Sequence, residues 1–266
     1  MSKISPTVLQ NYVAEGDQAN LFSTVDFGEL TMLTRPPIFI PRAETAYIMD
    51  HLADILLEHP VMSTLERPLR ILDLCTGSGS LALMLAHRLR SKAHLTAVDI
   101  NPEAVTLARE NAALNGLTSH VDFVVQDFTT SDLGEASFDL VVSNPPYIPH
   151  GEWETLSPSV KDHEDPRALI GDPQDFPAQS REHPISESSD GQGLYFYRKI
   201  AQKLPLFCKS SILRQSRGLP LLAVECGATQ ADDVQHIFKT QTSGLISSTT
   251  VVKDQFGQDR MVIGLT

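Results

Sequence analysis

The sequence predicts an α/β fold with a doubly wound, mostly parallel sheet that ends in a C-terminal antiparallel hairpin. Short apolar runs bounded by polar turns alternate with longer segments whose apolar residues recur at helical spacing. Strands that alternate with helices form parallel sheets, and these sheets bind ligands at the carboxyl ends of their strands. The chain has 266 residues, of which 41% are hydrophobic, so it can bury a substantial core.

The individual elements follow from local patterns. Helical spacing predicts a helix over 45–58, and Asn101-Pro102 supplies the cap and first turn of another helix that Asn115-Gly116 ends. A third helix is expected over 231–239. Strands are expected over 70–74, 94–98, 121–125, 138–143 and 219–226, and the terminal hairpin over 248–252 and 260–265 with its turn at Gly257.

A glycine-rich turn, Cys75 to Gly79, connects the strand over 70–74 to a helix that opens at Leu81. Glycines let a backbone approach a ligand closely, and the N-terminus of the following helix has free N–H groups. Asp99 ends the next strand about 20 residues beyond Gly79, the spacing of a carboxylate that accepts hydrogen bonds from ribose hydroxyls. The loop and the spaced acid therefore predict a ligand that contains a nucleoside.

Details of this loop favour S-adenosylmethionine over other nucleoside cofactors. The loop has G-x-G but lacks the third glycine of the dinucleotide fingerprint, and no G-K-[ST] follows to hold a triphosphate. A nicotinamide cofactor or ATP therefore fits poorly. S-adenosylmethionine has a ribose and an adenine, no phosphate, and a cationic sulfonium, which suits a loop without lysine near acids at strand ends.

The apolar run over 138–143 leads into the tetrapeptide Asn144-Pro145-Pro146-Tyr147. Prolines fix φ and have no N–H, so the carbonyls of this elbow remain free for a ligand. The Asn144 amide offers an acceptor and donors, and the Tyr147 ring offers a stacking surface. Together they suit a planar NH₂ group held by the Asn144 oxygen and a proline carbonyl. An ordinary proline-rich loop with a capping Asn is the alternative interpretation.

Several motifs spread over roughly residues 27–266 carry a family resemblance. They are Ile40–Thr45, Asp73–Gly79, Asp99–Ala104, Asn144–Pro149, Pro158–Lys161, Glu164–Leu169, Gly193–Arg198 and Lys253–Arg260. Together they resemble the HemK-like release-factor glutamine methyltransferases. The resemblance implies a Rossmann-like class I methyltransferase fold, S-adenosyl-L-methionine as cofactor, and glutamine in the Gly-Gly-Gln loop of a peptide-chain release factor as substrate. Cys75 in place of glycine, Ala43 in place of proline and an inserted stretch near 171–190 depart from the family pattern.

The motifs and the resemblance together assign the site residues. The predicted catalytic residues are Asn144, Pro145, Pro146 and Tyr147. The predicted cofactor-binding residues are Asp73, Cys75, Thr76, Gly77, Ser78, Gly79, Asp99, Ile100, Asp127, Phe128 and Asn144. Strand-end capping and core packing explain Asp127 and Phe128 equally well. A helix cap and a surface charge explain Thr45 and Arg42 equally well.

Charge and cysteine content limit the function classes. The chain has 21 Lys and Arg against 33 Asp and Glu, a net charge of −12, which disfavours stable nucleic-acid binding through phosphates. Three cysteines without C-x-x-C spacing predict neither a disulfide framework nor a zinc site. We therefore expect the protein in a reducing compartment, either the cytoplasm or the mitochondrial matrix. The sequence as given shows no recognisable targeting segment. No apolar run is long enough to span a bilayer. We expect the protein to be a monomer.

The domain organisation has three predicted parts. Residues 1–26 are expected to form a short N-terminal extension, the remnant of a helical substrate-binding region, and residues 27–266 the catalytic domain. Within that domain, the stretch over 171–190 is rich in Pro, Ser and charge and is expected to be a mobile surface loop.

Two other functions remain open at this level. An amino-methyltransferase acting on adenine N6 in DNA or guanine N2 in RNA would use the same elbow, because those exocyclic NH₂ groups have the same shape. Such an enzyme on duplex DNA must flip its base and normally has a sizeable recognition module. The only candidate for that module is the loop over 171–190, which is short and acidic. A non-catalytic protein that binds S-adenosylmethionine is the other alternative, and Asp99 together with Asn144 argues against it.

Overall fold

A seven-stranded sheet with the strand order β5-β4-β3-β6-β7-β9-β8 forms the centre of the molecule. The structure is a computed structural model that describes residues 23–131, 133, 137–172, 191–208 and 219–266. The sheet strands are β3 (Leu69–Leu74), β4 (Ala93–Asp99), β5 (Val121–Val125), β6 (Leu140–Ser143), β7 (Pro220–Glu225), β8 (Ser248–Lys253) and β9 (Asp259–Leu265). A separate antiparallel hairpin consists of β1 (Ser23–Phe27) and β2 (Leu30–Thr34).

Five neighbouring strands of the sheet, β5 to β7, run parallel to one another, and β9 and β8 continue it in antiparallel pairing. The predicted doubly wound sheet and its terminal hairpin are confirmed. The chain moves outward from β3 to β4 and β5, and then crosses to β6 on the other side of β3. Doubly wound sheets bind ligands at such a reversal, here between the carboxyl ends of β3 and β6.

Helices cover both faces of the sheet. They are α1 (Ala43–Glu58), α2 (Ser80–Leu89), α3 (Pro102–Leu114), α4 (Pro158–His163), α5 (Pro166–Leu169), α6 (Tyr195–Phe207) and α7 (Ala231–Gln241), with short 3₁₀ turns at Pro60–Ser63, Arg90–Lys92 and His150–Thr155. Successive residues of a strand point to opposite faces. Accordingly, Ile71 packs in the core with α1 and α2, whereas Leu72 and Leu74 pack in the core with α6 and α7.

Helix α3 begins and ends where the sequence predicts. The Asn101 side chain accepts a hydrogen bond of 2.9 Å from the Glu103 N–H, and Pro102 occupies the first turn. Gly116 follows the helix at φ +66°, a conformation that glycine adopts without steric cost. The cap, the proline and the glycine therefore fix the length of this helix.

A fully buried amide on α3 links the β1–β2 hairpin to the glycine-rich loop. Asn111 Oδ1 accepts from the Leu33 N–H at 2.6 Å, and its Nδ2 donates to the carbonyls of Leu33 at 3.2 Å and Ser78 at 3.0 Å. A buried polar side chain is costly unless it is hydrogen-bonded, so these bonds make the position specific for Asn. The sequence reasoning identified neither the hairpin nor this contact.

Parts of the predicted domain organisation fall outside the described residues. Residues 1–22 of the predicted extension and residues 173–190 of the predicted loop belong to this group. Ser23–Phe27 lies in strand β1, at the predicted boundary of the catalytic domain. The boundary itself stays a prediction. Among the described residues, no helix is long and apolar enough to cross a membrane.

Candidate active site

The registers of four parallel strands bring the key polar residues into one row. β3 is aligned with β4 and with β6, and β6 is aligned with β7, at their carboxyl ends. One residue beyond the last paired position of β3, the row across β4, β3, β6 and β7 reads Asp99, Cys75, Asn144 and Glu225. Adjacent strands lie about 4.8 Å apart, so neighbours in this row are adjacent in space.

Asp99 holds the glycine-rich loop against the end of β4. Its Oδ2 accepts from the Gly77 N–H at 2.8 Å and its Oδ1 from the Asn101 N–H at 2.9 Å. Burial raises the pKa of this carboxyl, while the backbone donors oppose the rise. Each carboxylate oxygen has two acceptor sites, so both can still accept a hydrogen bond from a ligand hydroxyl.

Asp73 lies beneath the loop with one carboxyl oxygen unsatisfied. The side chain is fully buried, and its Oδ2 accepts from Thr76 Oγ1 at 2.6 Å and from the Ala82 N–H at 3.2 Å. Oδ1 has no hydrogen-bond partner among the described residues. Burial raises the pKa of Asp73 to about 7. An unsatisfied buried carboxyl oxygen is costly, so this atom is suited to a cationic or hydrogen-bond-donating ligand group.

The loop needs left-handed backbone at several positions. Gly77 has φ +56°, and a Cβ built there would meet nothing within 4 Å, so open space lies beside it. Gly79 has φ +87°, and its Cβ would lie 3.0 Å from Ala108 Cβ on α3, so a side chain would push that helix away. Cys75 has φ +58°, a conformation that costs a non-glycine residue roughly 1–2 kcal/mol. This backbone favours glycine over cysteine at position 75.

Tyr147 is fixed by backbone contacts on both sides of the elbow. Its N–H donates to the Leu169 carbonyl at 3.1 Å, and its own carbonyl accepts from Gln230 Nε2 at 2.9 Å. Gly193 passes so close that a Cβ there would lie 2.1 Å from the Tyr147 oxygen. Pro145 and Pro146 are buried beneath, and burial raises the pKa of Tyr147 well above that of a free phenol.

Asn144 behaves differently from a capping residue. It is partly exposed, and its side-chain amide makes no hydrogen bond within the described part of the chain. The Ser143 hydroxyl just before it donates to the Leu74 carbonyl at 2.7 Å and ties the elbow to β3. The amide oxygen and NH₂ of Asn144 are thus available to a ligand, which favours the binding interpretation of the elbow over the proline-rich loop.

Asp127, Phe128 and Ile100 differ in how much they offer a ligand. Asp127 Oδ1 accepts from the Thr129 N–H and hydroxyl at 2.8 and 2.7 Å, which is the capping role considered as the alternative. Phe128 is 4% exposed and its ring lies 6.4 Å from that of Phe196, so it packs in the core. Ile100 is 60% exposed beside Asp99. Contact of these three with a cofactor stays a prediction.

Thr45 and Arg42 have partners that neither a helix cap nor a surface charge describes. Thr45 is buried, and its hydroxyl donates to Glu225 Oε2 at 2.7 Å. Arg42 pairs with the buried Glu164 and lies 4.9 Å from the centre of the Phe39 ring. Glu225 was given no role from the sequence alone. The signal was present, since a carboxylate ends the apolar strand β7 just as Asp99 ends β4.

Known methyltransferases resemble this chain in sequence and in fold. Residues 65–179 match the family model described as a methyltransferase domain. The release factor glutamine methyltransferase of Caulobacter vibrioides is 34% identical to this chain over 240 residues, an alignment that covers 90% of this chain and 70% of that protein. The chain belongs to the release factor glutamine methyltransferase family. The family resemblance of the motifs is thereby confirmed.

A second member of the release factor glutamine methyltransferase family, from Fusobacterium nucleatum, is 32% identical over 226 residues. That alignment covers 85% of this chain and 53% of the relative, so the chain spans about half the relative's length. The crystal structure of a methyltransferase from Pyrococcus furiosus superposes with a TM-score of 0.52 at 17% identity, covering 90% of this chain and 89% of that one. The latter similarity confirms the Rossmann-like methyltransferase fold.

Proposed function

We propose that this protein methylates the side-chain amide nitrogen of glutamine in the Gly-Gly-Gln loop of a peptide-chain release factor, with S-adenosylmethionine as methyl donor. The observation that carries the proposal is the Asn144 amide, which has no hydrogen bond within the described chain and adjoins the glycine-rich loop in the same row. Family membership supports the substrate, since the relatives in Caulobacter vibrioides and Fusobacterium nucleatum have the name of this activity.

The loop residues fit S-adenosylmethionine. The unsatisfied Asp73 Oδ1 suits the cationic amino group of its methionine part. The open space beside Gly77 gives a ligand room against the loop. Asp99 would accept hydrogen bonds from the ribose hydroxyls, next to the exposed Ile100. When bound, the cofactor supplies a methyl group whose bond to sulfur breaks with both electrons left on sulfur.

The elbow would orient an otherwise poor nucleophile. The lone pair of an amide nitrogen is delocalised into its carbonyl group, so the nitrogen reacts slowly. If Asn144 Oδ1 and the Pro145 carbonyl accept its two N–H groups, the nitrogen is held with its lone pair directed out of the amide plane. The Tyr147 ring supports the face of the amide. Alignment of this kind contributes roughly 7–11 kcal/mol over the bimolecular reference reaction.

The proposed function extends to the oligomeric state, the compartment and the binding of nucleic acid. We propose that the enzyme acts as a monomer in a reducing compartment, cytoplasm or mitochondrial matrix, and that it forms no stable complex with nucleic acid. The net charge of −12 supports the last point, because a phosphate-binding surface needs clustered Lys and Arg.

Mass spectrometry of the acceptor tests the substrate. A folded release factor and matched DNA and RNA oligonucleotides are incubated with isotope-labelled S-adenosylmethionine and the enzyme. We expect one labelled methyl group on the Gly-Gly-Gln glutamine and none on the oligonucleotides. Label in adenine or guanine, with none in the release factor at matched concentration, would replace this proposal with the nucleic-acid alternative.

A further inference from the structure

We propose that the Glu225 carboxylate is a catalytic group that accepts the proton released by the acceptor amide as it is methylated. The inference rests on the proposed function and extends it to a residue that the sequence motifs do not identify. It starts from the position of Glu225 beside Asn144 and from the unusual surroundings of its side chain.

Strand pairing puts Glu225 next to the acceptor pocket. Ser143 of β6 pairs with Val224 of β7, so Asn144 and Glu225 are the next residues on adjacent parallel strands. Asn144 precedes a proline, which keeps its backbone extended and continues the strand direction. Residues side by side on parallel strands direct their side chains to the same face of the sheet. The Glu225 carboxylate is therefore next to the Asn144 amide, which would hold the acceptor.

The Glu225 carboxyl is buried without an ion pair among the described residues. Its residue exposure is 4%, and the Thr45 hydroxyl donates to Oε2 at 2.7 Å. No hydrogen-bond donor to Oε1 is found within the described chain. The two nearby arginines are engaged elsewhere, Arg42 with Glu164 and Arg260 with Asp254 at 3.1 Å. Burial of a carboxyl with one hydroxyl partner is costly, which points to a functional reason for it.

A hydrogen bond and strand pairing hold the backbone of Glu225 in place. The Tyr197 hydroxyl donates to the Glu225 backbone carbonyl at 2.9 Å, and both residues are buried. β7 continues into pairing with β9, where Glu225 is opposite Met261. The backbone that carries the carboxyl is thus held by packed secondary structure, and the Thr45 hydroxyl holds the carboxyl itself.

The proton balance requires such an acceptor. The acceptor nitrogen uses its lone pair to form the new N–C bond, and it then has two hydrogens, a methyl group and a positive charge. It becomes neutral when one N–H bond breaks and its electron pair returns to nitrogen. Asn144 Oδ1 and the Pro145 carbonyl are weak bases, so the proton passes on to Glu225 as a new O–H bond and reaches water when the product leaves.

The charges around Glu225 keep its affinity for protons near the neutral range. Burial raises the pKa of Glu225 to about 7, and Glu44 acts in the same direction. The Thr45 hydroxyl, Arg260 and Arg42 act in the opposite direction. Tyr147 and Cys226 also face this group, and burial raises the pKa values of both, so both are uncharged at neutral pH and above it. The carboxylate form accepts the proton, so turnover should fall as pH decreases through about 7.

The central test compares the pH dependence of kcat in the wild type and in Glu225→Gln with the release factor as acceptor. Gln retains the size of the side chain and an oxygen for the Thr45 hydroxyl. For the wild type, we expect kcat to fall about tenfold per pH unit below the midpoint. This decrease of kcat at low pH is the acid limb of the profile. For Glu225→Gln, we expect the limb to vanish and kcat at pH 8 to drop by about a hundredfold. Binding of an acceptor peptide, measured by calorimetry, should change less than about threefold.

Two neighbouring substitutions shift the limb in opposite directions and so serve as matched controls. Thr45→Ala removes a hydrogen bond that lowers the pKa of Glu225, so the limb should move to higher pH, and Thr45→Ser should restore it. Glu44→Gln removes a negative charge that raises this pKa, so the limb should move to lower pH. Merely structural damage would not move the midpoint in both directions.

Infrared spectroscopy of the carboxyl band gives a readout that does not need turnover. Subtracting the Glu225→Gln spectrum from that of the wild type should reveal one carboxyl that titrates near 7. Titration below about 5, or an unchanged pH limb and kcat in Glu225→Gln, would overturn the role of Glu225 while leaving the proposed function intact. Absence of release-factor methylation at every pH would overturn both.

Discussion

At the scale of single residues, the site combines two buried carboxyls with one amide that has no hydrogen-bond partner among the described residues. Asp73 and Glu225 are both held in the apolar interior with a single hydroxyl and, for Asp73, one N–H as donors. Asn144 is partly exposed between them in sequence and adjacent to Glu225 in the sheet. The buried Asp73 Oδ1 lacks a partner among the described residues. Such an atom destabilises a fold, so it is expected where a ligand completes it.

Asp73 should make the stability of the ligand-free protein fall as pH rises. Its pKa is raised to about 7 in the folded state, above the ordinary value that it regains on unfolding. The folded state therefore binds more protons between these two pKa values, and stability decreases with rising pH across that window. Urea unfolding at a series of pH values should show this decrease, and Asp73→Asn should reduce it, while Glu225, whose pKa is also raised to about 7, contributes to the remainder. An identical pH slope in Asp73→Asn would contradict the assignment.

At the scale of secondary-structure elements, the elbow depends on chain segments far away in sequence. The segment before α6 passes over the Tyr147 carbonyl at Gly193, and the N-cap residue of α7, Gln230, donates to the same carbonyl. Asp172 fixes this approach, since its carboxylate accepts from the Gly193 N–H at 2.9 Å. These contacts explain how a tetrapeptide after a strand can hold a defined shape.

Gly193→Ala should displace the elbow and reduce turnover. A Cβ at Gly193 would lie 2.1 Å from the Tyr147 oxygen, so the elbow or the segment must move. Misplacement of about 1 Å can cost roughly a hundredfold in rate. Gly191→Ala is the matched control, because Gly191 has a similar φ of +71° but open space around its Cβ. Steady-state kinetics with equal loss in both variants would show that backbone strain, not the elbow contact, is responsible.

Asn111→Ala should destabilise the fold by about 2–4 kcal/mol, because three buried backbone groups lose their partner at once. Asn115→Ala provides a control on the same helix, since Asn115 bonds the Thr31 backbone from a partly exposed position. We expect its loss to be about 1 kcal/mol or less. The free energy of unfolding from urea titration measures both. Equal effects would mean that burial of Asn111 contributes nothing special.

At the scale of the whole molecule, individual strands and helices were predicted from the sequence better than the contacts between them. Strand β5 lies at its predicted residues, and Asn101-Pro102 caps α3 as expected, because periodicity and capping are local properties. The β1–β2 hairpin was not predicted, because its position depends on Asn111 of α3, which is distant in sequence. Helix α6 was not predicted either. The row that joins Asn144 to Glu225 comes from strand registers, which no local pattern specifies.

The overall charge should influence how the enzyme meets a protein substrate. A net charge of −12 attracts a basic partner, and exposed charges are screened over roughly 8 Å at physiological ionic strength. We expect kcat/KM for a release factor to fall as salt concentration rises, while cofactor affinity changes little. Kinetics between low and physiological salt measure this, and a kcat/KM that is independent of salt would exclude electrostatic steering.

In the proposed reaction the Asn144 amide acts on the acceptor nitrogen rather than mainly on the cofactor. Turnover of Asn144→Ala on a release factor, measured together with its calorimetric affinity for S-adenosylmethionine, checks this role. We expect kcat to fall by about a hundredfold or more while cofactor affinity stays within about threefold of the wild type. Retained turnover in a folded Asn144→Ala protein, or a loss explained entirely by weaker cofactor binding, would contradict it.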